Sequence, residues 1–442
     1  MSSTARLLQS DVFTTLSAHG LNDAQKTRLA YLRAREVARH FKLTALDLKN
    51  LSAKFWSFHR DNIHALDLAA FSLLTIQYNL VAGTLLRYVD ERPEHKPLLE
   101  SIFNFDVSKV HAAHVSEDHS ITSFDHVRLA ESAMLGSLDK GGDERRDFLK
   151  VISRLEIGAV AISTTLIPVM KRCVYTAAKY SKRRKIQHHQ GRARSIFYFR
   201  TQHGPICHAL AQLVVFEAWV PDYVGRFMDP TLDSGVRLGI RAVVKAALTK
   251  ATQTNLFTLA ERCGAQGLYE YNDIIESQNE SRGISISEGD ALMLSIRLAI
   301  DLLLDRYRVP PPLFPDSVLA KHESSLLQES QKLLQECGND HRSPSFNGLI
   351  LPRCGPLIEA VGHRMAHENA KLAGTAAEAL TLFEIGAVLQ DPAWYAENCG
   401  LSRAQQLDMG VACRQRSAPP KVDGILDSWD VEPFCRAPIF VG

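Results

Sequence analysis

Four long stretches of this chain, at 147–184, 199–220, 234–263 and 292–309, carry apolar residues at helical spacing. In the first, Leu149, Ile152, Leu155, Ile157 and Val160 draw one stripe. In the third, Val236, Ile240, Val243, Val244 and Ala247 do the same. A helix patterned in this way must bury one face. Four of them in succession predict an antiparallel bundle. Alternating β-branched segments with hairpin turns are nearly missing, so no large sheet is expected. The fold class predicted is mainly α.

More helix is expected on either side of the bundle. Residues 21–104 read as helices with short breaks, and Asn22 or Asp23 is placed to cap the first of them. The run IHALDLAAFSLLTIQYNLVAGTLLRYV reads as a buried helix pair interrupted near Asn79–Gly83. Downstream, Pro310, Pro311 and Pro312 end the bundle and mark a linker. VLAKHESSLLQESQKLLQEC and LIEAVGHRMAHENAKLAGTAAEALTLFEIGAVLQD then read as further amphipathic helices.

The chain has 442 residues and a net charge of +2, which gives no bulk attraction to nucleic acid or to a membrane. Its eight cysteines are scattered without a CxxC pair, as in reduced intracellular proteins. The first residues lack an apolar signal region, and the final FVG is not an SKL-type address. A cytoplasmic or peroxisomal location is the expectation. His363 and His367 have a spacing that suits zinc, with Glu368 adjacent, but no third ligand is evident and no metal is expected.

The most informative stretch is 261–308, which reads as a helix end, a glycine-rich turn, a polar loop and a second helix. Ser287 is expected as the N-cap of that second helix, with Asp290 where a capping-box acid belongs. Leu292, Leu294, Ile296, Leu298 and Ile300 predict a helix apolar on most sides, hence buried. Glu288 at its mouth has two readings. Acids at helix starts are common because they complement the dipole. A carboxylate facing a glycine turn is also suited to act as a base in a pocket.

CGAQGL (Cys263–Leu268), Asn272 and SEGD (Ser287–Asp290) together resemble the acyl-CoA dehydrogenase and acyl-CoA oxidase superfamily, most closely its oxidase branch. YSKRRKIQ (Tyr180–Gln187) is similar to the family's YxxxRxQFG, with Arg183 as its arginine, and Arg200, Thr201 and Gln202 match an R-T-Q element. Gln77, Asn79, Leu80, Gly83 and Thr84 resemble its QxNL and Gly-Thr step. Ser116, Glu117, His119 and Ser120 resemble the start of the middle β-domain, and Phe124–Leu129 resembles the strand that leaves it. The two signatures nearly abut, so most of that domain is missing.

The resemblance implies an N-terminal helical domain at 1–104, a remnant of the middle β-domain at 105–137, a flavin and acyl-CoA bundle at 138–309, and an oxidase-like helical domain at 310–442. It implies FAD as cofactor, acyl-CoA or another acyl thioester as substrate, and a homodimer. Glu288 becomes the base of an α,β-desaturation, and Arg183, Gln202, Gly264, Gly267 and Asp290 the cofactor contacts. Fatty-acid β-oxidation and secondary-metabolite biosynthesis are the settings implied. Ala265 stands where the family has a second glycine, and Ala291 where oxidases have asparagine. With the β-domain loss, these departures leave a second reading: a catalytically impaired helical scaffold that pairs with a complete homologue. A third uses the cations at 182–200, interleaved with Phe197, Tyr198 and Phe199, to bind a polyanion.

Overall fold

The computed structural model describes residues 3–14, 20–106, 125–130, 133–136, 142–187, 191–416 and 419–440. The element Ser116–Ser120, Phe124, and the pair His188 and His189 lie outside these. Of the strand-like signature, Asp125 to Leu129 are described and exposed. The chain divides into two compact units, Met1–Pro168 and Val169–Gly442.

In the first unit, helix α1 (Asp23–Phe41) begins at a capping box. Asn22 Oδ1 accepts from the Gln25 amide at 2.9 Å, and Gln25 Oε1 accepts from the Asn22 amide at 3.0 Å. The expected interruption near Asn79 is not a break. Residues 68–85 form one continuous helix, α2, whose middle Ile76–Ala82 widens to π geometry. Asn79 lies in that widened turn and exchanges two hydrogen bonds with Arg154: Asn79 Nδ2 donates to Arg154 O at 2.9 Å and Arg154 Nε donates to Asn79 O at 3.1 Å. Gly83 is needed beside it, because a Cβ there would meet the Arg154 guanidinium at 2.4 Å. A π turn of this kind often marks a functional position.

Helix α3 (Arg154–Arg183) starts in the first unit and ends in the second. It begins after a short non-helical step at Ile152 and Ser153, so the single helix expected from 147 is two. Helices α2 and α3 are both long and apolar enough to cross a membrane, yet 72% and 89% of those windows are buried inside the protein. They are core helices.

The second unit carries α4 (Arg200–Met228), α5 (Ser234–Arg262), α6 (Ile274–Ile286) and α7 (Ala291–Leu303). Helix α6 occupies the stretch expected as a polar loop. Its contact face is Ile274, Ser277, Ser281 and Ile284, spaced for one side of a helix and packed on α5. Serine and glycine at that face let two backbones approach closely but supply almost no apolar signal. Between α3 and α4, β1 (Lys185–Gln187) and β2 (Ala193–Ser195) pair antiparallel, and they are the only strands among the described residues. The fold is mainly α.

Beyond the prolines come α8 (Val318–Glu336), α9 (Leu351–Leu372) and α10 (Ala377–Val388). The linker is tied down. Buried Arg364 on α9 bonds Glu323 through Nε and Nη2 (2.5 and 2.9 Å), Glu368 at 3.1 Å and Pro310 O at 2.9 Å. Glu368 in turn accepts from the Phe314 amide at 3.1 Å. One buried guanidinium thus faces two buried carboxylates, and burial pushes the Glu323 carboxyl above its ordinary value. Helix α9 crosses α5 so closely that a Cβ on Gly362 would meet Ala247 Cβ at 2.8 Å.

Candidate functional site

Helix α5 is the rail on which the site is laid out. At its C-terminal end, Gln202 gathers three segments. Its Nε2 donates to Ser181 Oγ near the end of α3 (2.8 Å) and to Arg262 O at the end of α5 (2.5 Å). Arg262 Nη1 returns a bond to Thr201 O at 3.1 Å. Arg183, Gln202 and Gly264, widely separated in sequence, are therefore brought to one end of the bundle. Arg183 is exposed there, whereas Gln202 has already spent its donor on two partners within the chain.

The glycine bend follows immediately. Gly264 takes φ 58, and a Cβ there would touch nothing within 4 Å. Gly267 is buried instead, and a Cβ would meet Ala260 O at 2.0 Å. The first glycine serves a left-handed backbone and the second a close approach to α5. Asn272 is wholly buried; its Nδ2 donates to Gln266 O and Oε1, both at 2.8 Å. Its Oδ1 accepts the Ile439 amide at 2.9 Å, so residue 439 is fastened to the bend.

The β1–β2 hairpin beside this end is strongly basic. Lys182 is paired with Asp423, but Arg183, Arg184, Lys185, Arg192 and Arg194 are exposed and form no ion pair among the described residues. Arg194 stacks over Tyr198, its guanidinium carbon 4.4 Å from the ring centre. Exposed guanidinium groups of this kind suit phosphate oxygens, which they can grip through two N–H groups at once.

Glu288 does not face the glycine bend as expected: its turn lies back along α5 beside Lys245, about 25 Å from Arg262 at the helical rise of about 1.5 Å per residue. Here the expected capping is revised. Ser287 does not start α7; it ends α6, with its Oγ donating to Gly283 O at 2.9 Å. Asp290 is itself the N-cap of α7, its Oδ1 accepting the Met293 amide at 2.9 Å. The physical reason is the backbone between them: Glu288 has φ 57 and Gly289 φ 104, and right-handed helix cannot pass through either. Asp290, expected as a cofactor contact, is occupied on one oxygen by this cap.

Glu288 is half-buried, and its Oε2 is shielded from solvent. A left-handed glutamate costs roughly 1–2 kcal/mol that glycine would avoid. Such strain clusters where a side chain must point in one direction. The surrounding apolar residues are not buried as expected: Ile286, Leu292 and Met293 are 57%, 58% and 62% exposed. The all-round apolar pattern of α7 therefore marks a surface left open at its first turn, and a core from Leu298 onward.

Lys245 was invisible to motif reading. It is fully buried on α5, and its Nζ donates to Ser287 O and, at 2.6 Å, to Gly289 O. Its sequence signal is the lone cation in VVKAAL (Val243–Leu248), an otherwise apolar helix face. His363 and His367 lie against the Phe383 ring, with centroids 5.8 and 6.2 Å away, and burial pushes His363 down to about 4. No group of three or more His, Cys, Asp or Glu placed for a metal ion occurs among the described residues.

No family model and no curated protein matches this sequence. Solved structures do match. An acyl-CoA oxidase 1 from Yarrowia lipolytica aligns at TM-score 0.72 over 98% of this chain and 86% of its own, with 12% identity. Arabidopsis thaliana acyl-CoA oxidase 1 aligns at 0.58 over 72% of this chain and 57% of its own, with 17% identity. Caenorhabditis elegans acyl-CoA oxidase-2, bound with FAD, ascaroside-CoA and ATP, aligns at 0.55 over 66% and 51%, with 12% identity. The fold of this chain is that of the acyl-CoA oxidases.

Proposed function

We propose that this chain acts on an acyl-CoA or similar acyl thioester as a flavin-dependent oxidase or dehydrogenase, with Glu288 taking the α-proton. The observation that carries the reading is Glu288 itself: a solvent-shielded carboxylate oxygen on a left-handed turn, edged by exposed Ile286, Leu292 and Met293. An α-proton beside a thioester is weakly acidic, so its removal needs a base held dry and aimed. The open apolar edge suits an acyl chain.

The chemistry of the donor set fits FAD in part. Arg183 and its neighbours on the basic hairpin supply charge for a diphosphate, and the open left-handed Gly264 allows close approach of a phosphate to the backbone. Gln202 fits less well, since its N–H groups already hold Ser181 and Arg262. FAD, when bound, supplies the acceptor for the hydride that leaves the β-carbon. The chain's own tasks are to orient the thioester, exclude water on the Glu288 side, and move the α-proton to the carboxylate. The exposure of Arg183 supports a dimer in which it reaches the neighbouring subunit's cofactor.

The experiment is to incubate purified protein with FAD, remove the excess, and record flavin absorbance and trans-2-enoyl-CoA formation from a saturated acyl-CoA. Retained flavin and enoyl product are expected, with flavin retention lowered in Arg183→Ala. Colourless protein that forms no product sinks this reading. The scaffold alternative, motivated by only two short strands among the described residues, then stands in its place.

A further inference from the structure

The carbonyls of Ser287 and Gly289 stand on either side of Glu288, and one buried ammonium holds both. We propose that Lys245 is the positioning residue of this site: by gripping the turn before and after Glu288, it sets the direction of the carboxylate. The inference deepens the reading of Glu288 as a base and rests on it for its catalytic part.

Three observations converge. A fully buried ammonium must find oxygen partners, and here it takes two backbone carbonyls rather than lying along the surface. Ser287 is the C-cap of α6, where the last carbonyls of a helix present the negative end of its dipole to a cation. Finally, the residue between the two carbonyls is in the left-handed region without being glycine, so its conformation has to be imposed by its surroundings. One side chain of α5 thus ends α6, steadies the link into α7 and fixes the backbone of Glu288. The methylene stem runs through the core of the unit, so a small shift of α5 would be felt at the turn.

The test is Lys245→Met, which keeps the stem and removes the donors, read by amide hydrogen exchange and by steady-state kinetics on the FAD-loaded protein. At least tenfold faster exchange is expected across 287–290, with unchanged exchange in Arg200–Met228. For turnover, kcat should fall at least tenfold while KM for the acyl-CoA stays within twofold. Lys250→Met, at an exposed lysine of the same helix, should change neither. Unaltered exchange across 287–290 in folded Lys245→Met overturns the proposal, whatever happens to kcat. Faster exchange in a protein whose wild type forms no enoyl product keeps Lys245 as the clamp of this turn and sinks Glu288 as a base. If Lys245→Met does not fold, the double variant with Glu288→Gly decides. Glycine accepts the left-handed turn without a clamp, so recovery of folded protein supports the proposal. Failure to recover assigns the lysine to the core and refutes it.

Discussion

Two turns lie against helix α5, and their backbones bend almost alike: φ is 58 at Gly264 and 57 at Glu288. Their surroundings differ. Gly264 has open space around it and no need of support, because glycine enters the left-handed region freely. Glu288 is a strained residue held on both sides by a buried lysine. One turn is shaped by the absence of a side chain, the other by a side chain bent into place. Glycine would be easier at position 288, and glutamate is found there.

The largest effect expected to sharpen this contrast is on turnover. Glu288→Gln keeps the size and removes the base, and should lower enoyl-CoA formation on the order of 10³-fold, as general-base losses do. Flavin content should not change; an unchanged rate takes Glu288 out of the chemistry. Next comes Gly267→Ala, whose methyl would sit against Ala260 O. Overpacking against rigid backbone should cost about 3 kcal/mol, read from the denaturation midpoint. A loss below about 0.5 kcal/mol would mean the bend is free to move off α5.

The smallest effects form a matched pair. Gly264→Ala should destabilise by about 1 kcal/mol, since alanine resists the left-handed region. Glu288→Gly should stabilise by a comparable amount, about 1 kcal/mol, while abolishing turnover. A destabilised Glu288→Gly breaks the comparison, because it would mean the carboxylate holds the turn rather than burdening it.

The bundle was legible because long amphipathic helices repeat their pattern over many turns, as in Val236, Ile240, Val243 and Ala247. Helix α6 was not, because Ser277, Ser281 and Gly283 make a contact face out of small residues that read as loop. The start of α7 was misplaced by three residues, since a Ser-x-x-Asp spacing cannot reveal that the two residues between take positive φ. Arg183, Gln202 and Gly264 were found by motif, and the structure does bring them together through Gln202. Whether a polar group is already occupied was beyond reach: nothing in the letters says that Gln202 and Asp290 are committed within the chain. Lys245 left a faint trace, a cation among valines and alanines, which marks a buried partner without saying which one.

The bond from the Ile439 amide to Asn272 Oδ1 bears on the order of events during synthesis. Asn272 is sealed inside the protein, and a sealed acceptor with no donor costs free energy. While the ribosome is still making the intervening stretch, the amide that completes this asparagine does not exist. The bundle helices can assemble early, but the bend at their end stays unfinished until residue 439 has emerged.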